Sequence, residues 1–370
     1  LIDPVAQNVL NLFPQPNIPN GSLYDNWIAS GATPYNNEQF DVRIDHRFNQ
    51  KNLLSGKYSQ EWNHNTPFNC FKTFIDPCAG GANNSTAHVF AINDTHTFTP
   101  TLLLTTTFGI TRGAMRIYAY NSSLNANPLG TLGFPSYLKS NGFNGVPAMF
   151  INDYFAAGFP NAGNDPYGNY KQGQTTGQLG AFLSKIHGAH ELKFGVEARL
   201  HQQNYIQTNA PLGYFQFNNA GSSLCPFVDD LTDCGGDSMA SSLMGQLSGG
   251  GSSFYEIQFQ PATENYQYAT FAQDNWKLTP KLTLNLGLRY DVSLPRTDRF
   301  NHQNWFNPNA VNPLNGGSIS YTDPLTDNPV TRPLLGGEVF ANSHQRTTYV
   351  TDWKDFQPRF GFAYQFAPKM

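Results

Sequence analysis

Long apolar runs are missing from this 370-residue chain, and so is charge. No stretch approaches the ~18 consecutive apolar residues of a membrane-spanning helix, and the mean hydropathy is −0.43. A transmembrane helix is thereby excluded. A transmembrane barrel is not, because its strands carry an alternating and much weaker signal. Charged residues make up 13% of the chain, about half the usual globular share. The net charge of −4 offers no basic face, so nucleic acid is not an expected partner. Catalytic signatures are missing as well: there is no Gly-x-Ser-x-Gly, no Walker loop, no His-Glu-x-x-His and no Gly-x-Gly-x-x-Gly. The chain is read as a non-enzyme, with no catalytic residue, no cofactor and no resident metal.

Cysteine is scarce too. The four fall in two close pairs, Cys70/Cys78 and Cys225/Cys234, each inside a loop. Local pairing of that kind suggests two small disulfides formed in an oxidising compartment. A zinc site would call for Cys-x-x-Cys or a neighbouring histidine, and neither is present; free thiols are the third reading. The chain opens at Leu1 without a signal peptide and closes on Ala367-Pro368-Lys369-Met370, where a further turn begins. Both ends read as cut, so an internal fragment is expected, without a plug domain.

What is abundant is aromatic residues, at 14%, together with Gly, Pro, Asn, Thr and Ser, a composition for strands and loops. After Thr279-Pro280, the residues Leu282, Leu284, Leu286, Leu288, Tyr290 and Val292 alternate with Thr283, Asn285, Gly287, Arg289 and Asp291. Period two over eleven residues means a strand with one oily and one wet face. At roughly 3.3 Å per residue and a tilt of about 45°, its height matches the ~25 Å apolar band of an outer-membrane barrel.

The pattern recurs. Phe40, Val42, Ile44 and Phe48 alternate with Asp41, Arg43, Asp45 and Arg47, and Leu54, Gly56, Tyr58 and Trp62 with Lys57, Ser59 and Glu61. Leu102, Leu104, Phe108 and Ile110 oppose a run of threonines. Leu192, Phe194, Val196, Ala198 and Leu200 oppose Glu191, Lys193, Glu197 and Arg199, and Phe360, Phe362, Tyr364 and Phe366 close the series. Weaker runs at 86–98, 174–186 and 264–277 read as their hairpin partners, giving about nine strands. Tight turns are expected near Gln50, Pro100, Gly188, Pro280 and Pro368, and long structureless loops at 63–85, 113–173, 204–263 and 293–355. Short turns on one side and long loops on the other are the rim asymmetry of an outer-membrane barrel. The fold class is therefore all-β: an antiparallel up-and-down transmembrane barrel, partial, over 39–370, after an irregular lead-in over 1–38. The lead-in is expected to hold a short helix at 4–12 and a short strand at 23–28. Tyr58, Trp62, Tyr268, Trp276 and Tyr290 are candidates for the aromatic girdles.

Gln39-Phe-Asp-Val-Arg-Ile-Asp-His-Arg-Phe48, Glu191-Leu-Lys-Phe-Gly-Val-Glu197, Phe271-Ala-Gln-Asp-Asn-Trp-Lys-Leu-Thr-Pro-Lys-Leu-Thr-Leu-Asn-Leu-Gly-Leu-Arg-Tyr290 and Pro358-Arg-Phe-Gly-Phe-Ala-Tyr364 resemble the barrel of TonB-dependent outer-membrane receptors, most of all the Oar-like group. The resemblance implies a barrel of about 22 strands plugged by an N-terminal domain and energised by the TonB complex. Localisation would be the outer membrane of a Gram-negative-type bacterium, with membrane lipid and a large nutrient as partners. The nutrient could be an oligosaccharide, a peptide or a chelate. This chain departs from the family in having no recognisable plug or TonB box, and about nine strands would not close such a barrel.

Within the barrel reading, Arg43, Asp45, Arg47, Lys57, Glu61, Lys193, Glu197, Arg199, Arg289 and Asp291 are the candidate lumen-facing residues, set either to line water or merely to bridge one another. Leu282, Leu284, Leu286, Leu288, Tyr290 and Val292 are the candidate lipid-facing set. Ser136-Tyr-Leu-Lys139 matches Ser-x-x-Lys formally but without partner motifs. His187, His190 and Glu191 read as a solvated turn rather than a metal cluster. Asp229, Asp230, Asp233 and Asp237 read either as solvated surface carboxylates or as a calcium site. Aromatic–amide clusters at 118–121, 150–159 and 214–218 suit sugars or peptides, and equally suit loop self-packing. The competing functions are an adhesin or scaffold that transports nothing, and a secreted β-sandwich, which strand length and loop asymmetry oppose.

Overall fold

The computed structural model describes residues 2–19, 26–78, 81–118, 124–125, 127–139, 143–154, 169–224, 235–249, 252–256 and 260–366. Nine long strands form one antiparallel sheet in simple chain order. They are β1 (Tyr35–Asn49), β2 (Asn52–Asn65), β3 (Ala82–Thr99), β4 (Leu102–Tyr118), β5 (Tyr170–His187), β6 (His190–Gln207), β7 (Ala262–Thr279), β8 (Leu282–Ser293) and β9 (Phe356–Tyr364). A two-residue strand, Thr297–Asp298, adds to β7 beyond the end of β8. Both outer edges, on β1 and β9, carry no neighbour among the described residues.

Four hairpins close with two-residue turns at one end of the sheet, and their hydrogen bonds are local. The Thr279 hydroxyl accepts from the amides of Lys281 and Leu282, and the Thr99 hydroxyl accepts from Thr101. The repeated Thr-Pro-x-Leu therefore marks one turn device used twice. In the first hairpin Asn49 plays that part, accepting from Lys51 and Asn52. In the third, Gly188 takes φ +58°, which a side chain disfavours.

The strands outrun the alternating pattern. β3, β5, β6 and β7 are each 18 residues long, about 59 Å at 3.3 Å per residue. That exceeds what a ~25 Å apolar band requires even at a steep tilt. Their far ends, such as Asn83-Asn84-Ser85 on β3 and Gln202-Gln203-Asn204 on β6, are polar on both faces. No alternation is written there, and the strand boundaries expected at 86 and 174 fall short for that reason. The connectors accordingly shrink to 66–81, 119–169, 208–261 and 294–355.

Those connectors are not structureless, which corrects the expectation above. The largest buried core of the described residues lies in them and not in the sheet: Val9, Cys70, Phe71, Ile75, Leu132, Val146, Met149, Ile151 and Phe217 pack together. The lead-in takes part through helix α1 (Pro4–Leu10), which Asp3 caps by accepting from Val5 and Ala6 at 2.9 and 3.0 Å. The Asp3 amide donates to Leu243 O of helix α3 (Ser238–Leu243), and Asn8 reaches Leu132 O of helix α2 (Pro128–Leu132). Residues 148–151 and 214–217 pair in parallel across 66 residues of sequence. Residues 26–28 form no strand but are held by residues 17 and 18: Asn26 O accepts from the Asn17 and Ile18 amides, and Asn17 and Ile28 exchange two hydrogen bonds; this corrects the strand expected at 23–28, whose first three residues lie outside the described set. The last connector is instead a two-stranded arm, pairing 304–311 with 335–340 and 318–322 with 329–333.

Candidate functional site

The register decides what meets what. Through every pairing in the sheet, the ten charged candidates share one face and the six candidates from Leu282 to Val292 share the other. Leu284, Leu286 and Tyr290 stand beside Phe362, Phe360 and Phe356 of β9, continuing the oily surface.

On the charged face, one network crosses three strands. Glu197 on β6 receives Arg199 at 3.1 Å and Arg289, from β8, at 3.3 Å. Arg289 also holds Asp291 at 2.9 Å, and Gln357 of β9 donates to Asp291 at 2.9 Å. β7 lies between β6 and β8, so these side chains should be too far apart. The residue that intervenes between Glu197 and Asp291 is Ala269, and its small methyl lets the charges meet above it. One position along, Gly195 leaves room for the Phe271 ring: a Cβ there would stand 2.1 Å from that ring. The network borders a cleft of about 250 Å³.

A second group lies at the other edge. Arg43 bridges Asp45 at 3.0 Å, Lys57 bridges Asp41 at 3.4 Å, and Glu61 accepts from Asn37 and Asn63. Arg47 faces Leu53 across the pair. The structure does not join this group to the first: β3, β4 and β5 intervene, and none of their residues on that face is charged. Lys193 bridges Glu191 at 2.9 Å near the short turns.

The other candidates separate. Cys70 and Cys78 form a disulfide with Cα atoms 5.8 Å apart. The buried Asp76 sits inside its loop, accepting from the amides of Phe71 and Cys78. Cys225, Cys234, Asp229, Asp230 and Asp233 lie outside the described residues. Asp237 is engaged elsewhere than in an ion site: it caps α3, accepting from Met239 and Ala240, and takes the Tyr154 hydroxyl at 2.8 Å. Burial pushes its carboxyl up, but the Ala240 amide, the Tyr154 hydroxyl and the Met239 amide outweigh that, and the net pKa lies below the ordinary value. Ser136–Lys139 is a single helical turn with Leu138 buried. Tyr214 stacks between Phe150 and Phe254, and Phe217 is core, so that aromatic cluster is spent on self-packing rather than on a binding surface.

Two arrangements escaped the sequence reading, which placed His190 in a solvated turn without a partner and did not single out Asp274 or Asp298. Asp274 and His190 meet at 2.6 Å on the oily face, near the short turns, with Trp276 stacked on the imidazole. Counting back by twos from Trp276 through 264–277 places Asp274 on that face, so its signal was present. Asp298, 1% exposed, accepts from Ala262, Phe300 and His302 at 2.7, 2.8 and 3.1 Å and ties the last connector to β7. Its position inside a loop carried no periodic signal.

A family model described as "Outer membrane beta barrel domain" matches residues 1–370. Among curated proteins, none matches the chain. Solved structures to which the chain is similar include FpvA of Pseudomonas aeruginosa bound to a heterologous pyoverdine–iron complex, with 11% identity over 90% of this chain and 34% of that one, TM-score 0.43. Others are the ferric-catecholate import receptor Fiu of Escherichia coli (11%, 90% and 42%, TM-score 0.41) and the ferric yersiniabactin uptake receptor FyuA of Yersinia pestis (10%, 91% and 36%, TM-score 0.39). This chain spans about a third of the length of the first of these.

Proposed function

The chain belongs to the outer membrane beta barrel domain family and its sheet is part of a barrel wall in an outer membrane; from that premise we propose that it is wall from a TonB-dependent receptor taking up a large nutrient. The observation that carries the reading is the two-faced sheet. Ten charged side chains gather on one side and a surface led by leucine and aromatic residues lies on the other, which suits water within and lipid without. The short turns then face the periplasm and the long connectors the cell exterior. The Phe271–Tyr290 stretch, with its resemblance to receptors of this kind, supports the choice among barrels.

On this reading the Glu197–Arg199–Arg289–Asp291 network lines the lumen in its outer half, where it holds a plug or guides a polar solute. An oligosaccharide, a peptide or a chelate fits a polar wall with a charged cleft. TonB engages the plug-bearing part of the complete protein. The test uses cells expressing that complete protein, with and without TonB, and a labelled panel of maltodextrins, oligopeptides and ferric chelates. Accumulation of a panel member only when TonB is present is the expected result. Surface binding without TonB-dependent accumulation would instead establish the adhesin or scaffold role.

A further inference from the structure

We propose that the outward face of the sheet, just beyond its apolar band at the long-connector end, binds the phosphorylated headgroup of a glycolipid through Arg112, Arg116 and Lys171. The site rests on the reading that this rim faces the outer leaflet. It starts from register. On β4 the outward series runs Leu104, Phe108 and Ile110, then turns abruptly to Arg112 and Arg116. Arg116 stands directly opposite Lys171 of β5, and opposed residues of a ladder have Cβ atoms about 4.5–5.5 Å apart. Two cations so placed repel each other.

The third cation is drawn to the same spot. Gly173 lies on this face, two residues from Lys171, and the Arg112 guanidinium occupies the room its missing side chain leaves: a Cβ there would lie 2.8 Å from Nη2. Arg112 Nη1 donates to the Thr175 hydroxyl at 2.6 Å, which fixes that pose. Arg116 lies over the Tyr118 ring at 5.3 Å. All three cations are exposed. Among the described residues none of them forms an ion pair. The carboxylates on this face at the same end, Glu38 on β1 and Glu264 on β7, stand two or more strands away, roughly 10 Å or farther at ~4.8 Å per strand.

A triad of positive charge with no counter-charge among the described residues, seated on the edge of an oily band, fits an amphiphile with an anionic head and apolar tails. Guanidinium groups bind phosphate oxygens in pairs. Trp62, stacked on His64 at the same height on β2, marks the interfacial level at which headgroups lie. A free phosphate has no use for the band below.

The test is equilibrium binding of lipid A to the complete protein in a non-ionic detergent, read by native mass spectrometry. Dephosphorylated lipid A and inorganic phosphate are the comparison probes. Wild type should retain lipid A and bind the dephosphorylated form at least about tenfold more weakly, and millimolar phosphate should not displace the lipid. Each of Arg112→Gln, Arg116→Gln and Lys171→Gln should weaken binding about threefold or more, and the triple variant about tenfold or more. Lys51→Gln, at the opposite rim, should bind as wild type. Equal binding by the triple variant, equal binding of the dephosphorylated lipid, or an equal loss in Lys51→Gln overturns the proposal. Orientation is read separately. Leu325→Cys in the exposed arm should react with an impermeant maleimide on intact cells; no reaction sinks the rim assignment while leaving the detergent result to judge the patch.

Discussion

Asp298 shows how a single residue can hold a connector that has little core of its own. Its carboxylate satisfies three amides at once, from Ala262, Phe300 and His302. Burial pushes its pKa up, but those amide hydrogen bonds outweigh burial, and the net shift is below the ordinary 3.8. A depressed folded pKa means stability that is present above the unfolded value and lost as pH falls through the folded one. Protection of those amides from hydrogen exchange should therefore persist from neutral pH to about pH 4 and fade below it. Asp298→Asn should lose about 1–3 kcal/mol at neutral pH and show no such acid step; protection unchanged in the variant would refute the anchoring role. Position 298 stands in a run, Arg296-Thr-Asp-Arg299, that reads as any polar loop, which is why only the folded chain discloses it.

At the scale of the strand, the decisive quantity is which face meets lipid. Leu286 is the natural choice from the alternating pattern, but Asp274 stands opposite it in the register, and an arginine there would gain a partner. Val196, flanked by Ala181 and Thr270 and 56% exposed, lacks that escape. Val196→Arg should cost about 2–4 kcal/mol in vesicles, whereas Asn285→Arg on the opposite face should be mild. The readout is the urea midpoint for folding into dilauroyl vesicles, and equal shifts at 196 and 285 would remove the face assignment. The alternation that made this face legible belongs to the part of each strand that crosses the oily band. It vanishes in the strand tails, where both faces are polar, and so the pairing of 82–85 with 115–118 could not be anticipated.

The whole chain shows a division that its sequence conceals. Nine strands and their four tight turns were legible because period two and Thr-Pro or Gly signals are local. The buried core shared by the lead-in and the first three connectors, a cap on the long-connector end of the sheet, was not, because Val9, Ile75, Leu132, Val146 and Phe217 are scattered over those segments with no common period. The inner-wall network was half legible: each charge could be assigned to a face, but the meeting of Glu197 with Arg289 depends on the small Ala269 that stands opposite Glu197 on the strand between. At this scale the two bare edges matter most. Among the described residues β1 and β9 each present an edge with no neighbouring strand, and such edges seek partners. Refolded alone in detergent, this chain should run as a concentration-dependent mixture of oligomers by light scattering, and a monodisperse monomer at high micromolar concentration would contradict that.

The shared core of the cap has a consequence for how such a surface can change over time. Connectors that merely dangle drift residue by residue under pressure from phages, toxins or antibodies. Here the first three connectors and the lead-in are welded through one apolar cluster, to which the first connector comes already closed on itself by the Cys70–Cys78 link. An exchange of any one of them leaves the others with an unmatched surface. Variation in this region should come in blocks, several segments replaced together, while the arm over 304–340 is free to diversify alone. Anyone grafting a foreign epitope onto this barrel has the same map: the arm accepts cargo singly, and the cap only as a set.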